Sequence, residues 1–281
     1  MSFRTLLLTT LAMLAFAGNS LLCRAALRDA AIDPAGFTAL RLVAGAVTLW
    51  LLLRLRQNHQ SFASAGSWYG AIALFVYAAT FSFAYVSLDA GAGALLLFGA
   101  VQLSMVAWGL LRGERLDARQ LAGMLLALGG LVALLLPGSS TPSLGAALLM
   151  LVSGAAWGAY SLLGRSARDP LPAAASSFLL AAPLAILLGL VMLGQLHWSP
   201  AGVLYAVLSG ALTSGLGYAI WYAVLPRLAA IQAASVQLSV PLLTALAGAL
   251  LLGEALTVRL VLAGAAILGG VGLVLRARHA G

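Results

Sequence analysis

Residues Ala230–Leu256 read AIQAASVQLSVPLLTALAGALLLGEAL, and residues Ala90–Leu116 read AGAGALLLFGAVQLSMVAWGLLRGERL. One lies on the other at a constant offset of 140 residues, without a gap. Ala90 meets Ala230, Leu103 meets Leu243, Gly113-Glu114 meet Gly253-Glu254, Leu116 meets Leu256 and Arg119 meets Arg259. The same offset places Leu8, Ala15, Gly18, Arg28 and Asp29 on Leu148, Ala155, Gly158, Arg168 and Asp169. Apolar matches are cheap in a hydrophobic chain, but Gly-Glu and Arg-Asp pairs at one register are not. The chain reads as two copies of one unit, 1–137 and 144–281, joined by the breaker Pro137-Gly138-Ser139-Ser140-Thr141-Pro142.

Of the 281 residues, 63% are hydrophobic and 8% charged, whereas soluble domains carry roughly 25% charged residues. No soluble core hides that much apolar side chain, so lipid is the expected solvent. Ten apolar runs approach the roughly 20 residues that cross a bilayer. They lie near Thr5–Cys23, Pro34–Leu53, Trp68–Ser87, Ala90–Leu111 and Gln120–Leu136, then Leu144–Leu163, Pro172–Leu193, Ala201–Leu225, Ala230–Leu252 and Val258–Leu275. Asp33-Pro34 and Ser199-Pro200 have the form of an N-cap followed by proline at the first helical position. The first run resembles a secretory signal, with Arg4 ahead of it and Ala15-Phe16-Ala17 as a cleavage site, but its counterpart at Gly145–Asp169 lies mid-chain, so a retained helix is expected.

All fifteen basic residues are arginine, and the formal net charge is +8. They cluster at run ends, which points to anchoring and orientation rather than to nucleic acid. With the N-terminus inside, Arg4, Arg54, Arg56, Arg112, Arg115, Arg119, Arg165, Arg168, Arg227, Arg276 and Arg278 are inside, and only Arg24, Arg28 and Arg259 lie in outer loops. Both termini are therefore expected in the cytoplasm. Five spans per copy is an odd number, so the second copy enters the membrane upside down. The expected fold is an all-α integral membrane protein of ten helices in two inverted five-helix repeats. Such repeats give two alternative packings around a midplane site, the design of a transporter.

The residues resemble the EamA family of the drug/metabolite transporter superfamily over essentially the whole chain. The resemblance rests on Pro241 followed by Leu251-Leu252-Gly253-Glu254-Ala255-Leu256, Gly264 and Gly269-Gly270. It rests also on Leu110-Leu111-Arg112-Gly113-Glu114-Arg115-Leu116, Gly123 and Gly129-Gly130, on Phe16-Ala17-Gly18-Asn19, and on its echo Trp157-Gly158. Where the second copy has Pro241, the first has Val101, so the kink expected at Pro241 has no partner. The resemblance implies a bacterial-type inner-membrane carrier that exports small metabolites, such as amino acids or amphiphilic compounds.

The seven acids, Asp29, Asp33, Asp89, Glu114, Asp117, Asp169 and Glu254, lie at run ends or in loops, as do His59, His197 and His279. No buried proton acceptor is offered, and a facilitator-like carrier is expected. Glu114 and Glu254 fall on opposite membrane faces, so each is read as a cap or a partner for nearby charge. A central cavity is expected to be lined by Asn19, Tyr77, Gln102, Trp157, Tyr160, Tyr218, Trp221 and Gln237. Trp157 with Tyr160, and Tyr218 with Trp221, share the i, i+3 spacing that puts both on one helix face. Arg41 is the only charge well inside a run; it either snorkels toward the outer end or meets an anionic group of the substrate. Trp68, Tyr69 and Trp198, at run ends, read as interfacial belt residues.

With one cysteine, Cys23, the chain has neither a disulfide nor a Cys-x-x-Cys pair, and no cofactor, metal site or catalytic cluster is expected. The expected partners are a small-molecule substrate and the lipid bilayer. Gly154-x-x-x-Gly158 could serve a homodimer, although internal packing in a monomer is the simpler use. The rival readings are a carrier of anionic metabolites of the nucleotide-sugar or organic-acid type, and a non-transporting sensor or assembly subunit.

Overall fold

The computed structural model describes residues 3–56, 67–113, 117–136, 142–165, 169–224, 227–228 and 236–277. Ten apolar helices account for nearly all of them: α1 (Phe3–Arg28), α2 (Pro34–Leu55), α3 (Trp68–Tyr85), α4 (Ala90–Leu111), α5 (Ala118–Leu135), α6 (Leu144–Arg165), α7 (Pro170–Val191), α8 (Pro200–Val224), α9 (Ser239–Leu252) and α10 (Val258–Ala277). Eight are long and apolar enough to span a bilayer; α9 and the described part of α10 are shorter. Helix α8 is α-helical over Pro200–Leu208 and Gly217–Val224 but wound as a π-helix over Ser209–Leu216.

The caps explain where these helices begin. Asp33 accepts from the Gly36 amide with Pro34 in the first turn, and Ser199 does the same for Gly202 ahead of Pro200, both as expected. Asp169-Pro170 repeats the device at α7, and Asp117 with Gln120 closes a capping box at α5. Gly113 and Gly253 occupy left-handed backbone, with φ of 89° and 66°, just past α4 and α9. Only glycine enters that region freely, so the repeated Gly marks the same helix stop twice.

Large aliphatic side chains cover the outer surface, while alanines and glycines pack between helices. Leu111, Val191 and Leu250 are 81%, 77% and 83% exposed, while Ala12, Ala78, Ala147 and Ala181 are fully buried. Lipid tails are as apolar as leucine, so helices gain little by hiding leucine and are held by close packing of small residues. Helices α5 and α10 approach closely: a Cβ on Gly270 would lie 2.4 Å from the Gly123 carbonyl oxygen, and one on Gly123 2.5 Å from that of Gly270. Gly154 and Gly158 are both pressed on α4, against Leu97 and Ser104, so this glycine face serves internal packing.

Helix α6 packs on α3 and α4, as α1 packs on α8 and α9; α2 packs on α7 and α8, and α3 on α7. The pairs α2–α7, α4–α9 and α5–α10 complete the bundle. Advancing every helix by five exchanges these pairings among themselves.

One end of the bundle is stitched across helices. The Arg24 guanidinium, at the end of α1, donates to Glu254 Oε1 (3.0 Å), Asp89 Oδ1 (3.2 Å) and the carbonyls of Tyr85 and Val86. Glu254 Oε2 accepts from the Ala90 amide at the start of α4 (2.8 Å). Arg28 reaches the Leu252 carbonyl, and Arg259 that of Leu136. Asp33 Oδ2 accepts from the His197 amide and the Trp198 indole. Trp198, expected as a belt residue, is therefore also an anchor between the α1–α2 and α7–α8 loops. The long-range role of Glu254 agrees with the reading of a charge partner; Glu114 lies outside the described residues.

Candidate functional site: the polar and aromatic junction at the bundle centre

Asn19 is the hub of the interior. Its side-chain amide nitrogen donates to the Tyr77 hydroxyl (3.2 Å), and its oxygen accepts from Ser209 (2.8 Å) and Thr213 (3.3 Å). The Tyr77 oxygen also accepts from Arg41 Nη2 (2.9 Å), and Arg41 Nε donates to Ser214 Oγ (3.2 Å). Helices α1, α2, α3 and α8 are thus joined by one buried network. Such bonds in a membrane contribute about 0.6 kcal/mol each on average, because the separated helices find other partners. Their larger effect is geometric: they fix which side chains face the centre.

Arg41 does not snorkel. It is 1% exposed, some 10 Å along α2 from Pro34 at 1.5 Å per residue. Its guanidinium carbon lies 5.0 Å from the centres of both the Tyr77 and Phe81 rings, a pair of cation–π contacts. Nη1 has no hydrogen-bond partner, and no carboxylate pairs with Arg41 among the described residues.

Beside the network lies a narrow cavity of ≈ 20 Å³, lined by Asn19, Tyr77, Trp157 and Tyr218 from the expected set and by Phe16, Ser20, Phe81, Leu97, Phe98 and Thr213 in addition. That volume admits about one water. The rings form a continuous cluster: Trp157 is 4.8 Å from Tyr77, 5.1 Å from Tyr218 and 5.5 Å from Tyr160, and Phe16 is 5.9 Å from both Tyr218 and Trp221. Tyr160 and Trp221 join this cluster without lining the cavity. Gln102 on α4 is buried, Gln237 is helical just before the break at Leu238, and Arg41 lies against the Tyr77 and Phe81 rings; none of these three expected residues lines the cavity.

Several functional candidates escaped the sequence reading. Ser209, Thr213 and Ser214 matter because the π-helical turn brings them to Asn19 and Arg41; the only sequence signal was the small, polar run Ser209-Gly210-Ala211-Leu212-Thr213-Ser214-Gly215 inside an apolar span. π-Helical segments are rare and concentrate at functional sites. Gly210 and Gly215 let α2 approach, since a Cβ would meet the Arg41 carbonyl oxygen at 2.3 Å and Thr48 at 2.8 Å. Pro241 sits in the first turn of α9, where it breaks no internal hydrogen bond. The helix is interrupted at Leu238 just before it, as expected from a ring that excludes the carbonyl four residues earlier, and the Ser239 hydroxyl caps Val236 (2.6 Å).

The family description "EamA-like transporter family" matches residues 144–276. The chain belongs to the EamA family. It is similar to the uncharacterized protein PA1977 of Pseudomonas aeruginosa, with 65% identity over 275 residues that cover 98% of this chain and 96% of that relative. It also superposes on a solved crystal structure with a TM-score of 0.70 at 22% identity, over 98% of this chain and 99% of the other, which is a likeness of fold. This EamA protein is accordingly a multi-pass membrane protein of a transporter family, within the drug/metabolite transporter superfamily.

Proposed function

We propose that this EamA protein is an inner-membrane carrier that exports small metabolites, such as amino acids or amphiphilic compounds, by alternating access between two inverted five-helix repeats, 1–137 and 144–281. The observation that carries the proposal is the central junction. Asn19, Arg41 and Tyr77 from the first repeat meet Trp157, Ser209, Thr213, Ser214 and Tyr218 from the second, in the buried interior midway along the helices. The exchange of helix pairings on advancing by five supports the repeat. A drug-sized ligand needs a pocket of about 300–1,000 Å³, far above the present cavity, so cargo enters only when helices part. The stitched end supplies a closed gate. The arginine distribution supports a periplasmic position for that end and a cytoplasmic one for both termini.

The described acids all lie at helix ends, which favours a facilitator over a carrier with a buried proton-binding carboxylate. The test is metabolite profiling of medium from bacteria that overproduce the protein, against empty-vector cells and an Asn19→Ala, Trp157→Ala double variant. A few related compounds should accumulate outside and disappear with the double variant. No difference, with the protein shown to be in the membrane, refutes export.

A further inference from the structure

We infer that Arg41 and Tyr77 together form an anion-binding subsite at the wall of the central cavity, taking a small monoanion: the carboxylate of the cargo or a halide. The inference rests on the carrier reading and narrows its substrate class.

Three observations carry it. First, Arg41 is a full positive charge 1% exposed inside a membrane-spanning helix, with no carboxylate partner among the described residues. Two hydroxyl hydrogen bonds and two ring faces soften that burial without cancelling the charge. Intramembrane ionisable groups are costly and persist where they meet a counter-charge or a ligand. Second, Nη1 is a buried donor with no acceptor among the described residues, which costs the desolvation of that group until an acceptor arrives. Third, the Tyr77 oxygen already accepts from Asn19 and from Arg41, so both of its acceptor positions are used. Its own proton is left to donate, and Tyr77 lines the cavity. A hydroxyl that accepts from a guanidinium is a stronger donor than an isolated one, since hydrogen bonds in a chain polarise one another. Arg41 does not itself line the closed cavity but lies against the Tyr77 and Phe81 rings that do, so it acts there through the Tyr77 proton and, once the helices part, through Nη1.

An oxyanion accepting both donors would have its apolar remainder among Phe16, Phe98, Trp157 and Tyr218, whose rings offer no counter-charge. The ligand chemistry that fits is one negative charge on a flat or apolar body, or the bare anion.

The experiment uses the purified full chain in neutral detergent and chloride-free buffer, titrated with acetate, benzoate, their neutral amides acetamide and benzamide, and chloride. Binding is read by titration calorimetry and by the thermal unfolding midpoint. Saturable binding of an acid, with its amide at least about tenfold weaker as for loss of one charge-assisted hydrogen bond, supports the cargo carboxylate. Saturable chloride binding without acid binding supports the halide. In Arg41→Gln the preference for acid over amide should vanish. Arg41→Lys, which keeps the charge if the glutamine variant does not fold, should retain the preference at reduced affinity. Tyr77→Phe should weaken anions while leaving the preference in place. The proposal is overturned if no anion binds the wild type, if Arg41→Gln binds anions as wild type does, or, where an acid binds the wild type, if Arg41→Lys treats acid and amide alike. Export that persists in cells while anion binding fails leaves the carrier standing without this subsite; anion binding without export sinks the carrier reading alone.

Discussion

Glu254→Gln is expected to open the stitched end. The side chains of Arg24 and Glu254 are 13% and 10% exposed and lie 3.0 Å apart, while Asp89, the other partner, is 56% exposed. Exposed pairs contribute about 0–1 kcal/mol and breaking a fully buried one costs about 3–5 kcal/mol, so this pair falls between, at about 2 kcal/mol. Glutamine keeps the volume and can keep its one oxygen on the Ala90 amide, but its NH2 then faces the Arg24 guanidinium, so both the charge and the acceptor opposite Arg24 are lost. If the pair exists only when this end is closed, its loss raises the open population by about thirtyfold. Cys23, the sole cysteine and fully buried, sits next to Arg24 and reports that opening without any engineered label. Its reaction rate with a small polar maleimide should rise about thirtyfold in Glu254→Gln and at least as much in Arg24→Gln, which also loses Asp89 and the Tyr85 and Val86 carbonyls, with the double variant little above Arg24→Gln because the two residues share one interaction. Asp89→Asn should raise it less than about fivefold, as for a surface pair. If Glu254→Gln lowers the unfolding temperature but leaves labelling at the wild-type rate, the pair holds the fold together and not this gate.

Other outcomes follow from the packing. Gly270→Leu should part α5 from α10 and cost at least about 1–3 kcal/mol in thermal unfolding, whereas Gly129→Ala, with open space where its Cβ would go, should be neutral. Asn19→Ala removes three interhelical hydrogen bonds and should cost about 2 kcal/mol at about 0.6 kcal/mol per bond, measured by unfolding in detergent. Asp33→Ala loses both the α2 cap and the Trp198 indole bond, about 1–2 kcal/mol, and Trp198 fluorescence should shift as the ring is released. Once a cargo is known, its export rate should be unchanged when a protonophore collapses the proton gradient; strong dependence refutes the facilitator.

The helices were legible because lipid imposes a crude rule, about 20 apolar residues per span, which composition shows directly. The starts at Pro34 and Trp68, and the stops before Gly113 and Gly253, came from local chemistry that needs no tertiary partner. The aromatic part of the site was also legible, since Tyr77, Trp157 and Tyr218 stand out in spans otherwise built from leucine and alanine. Gln102 and Gln237 stood out for the same reason, yet neither lines the cavity, because composition does not say which way a helix is turned. Ser209, Thr213 and Ser214 failed the same test in the other direction: hydroxyls commonly bond back into their own helix, and only the π-helical turn aims them at α1 and α2.

The sequence by itself determined a membrane solvent, ten apolar helices and a unit that recurs at an offset of 140 residues. These are decided by properties each residue carries alone: apolarity, backbone freedom and charge. Only the tertiary structure decided that Arg41 is buried beneath two rings rather than drawn to the surface. It also decided that Glu254 closes on Arg24, some 230 residues away, and that Asn19 gathers hydroxyls from α8. The reason is physical: a charge or an amide inside a membrane takes its meaning from what lies opposite it, and helix rotation and the approach that Gly210 and Gly215 permit place that neighbour.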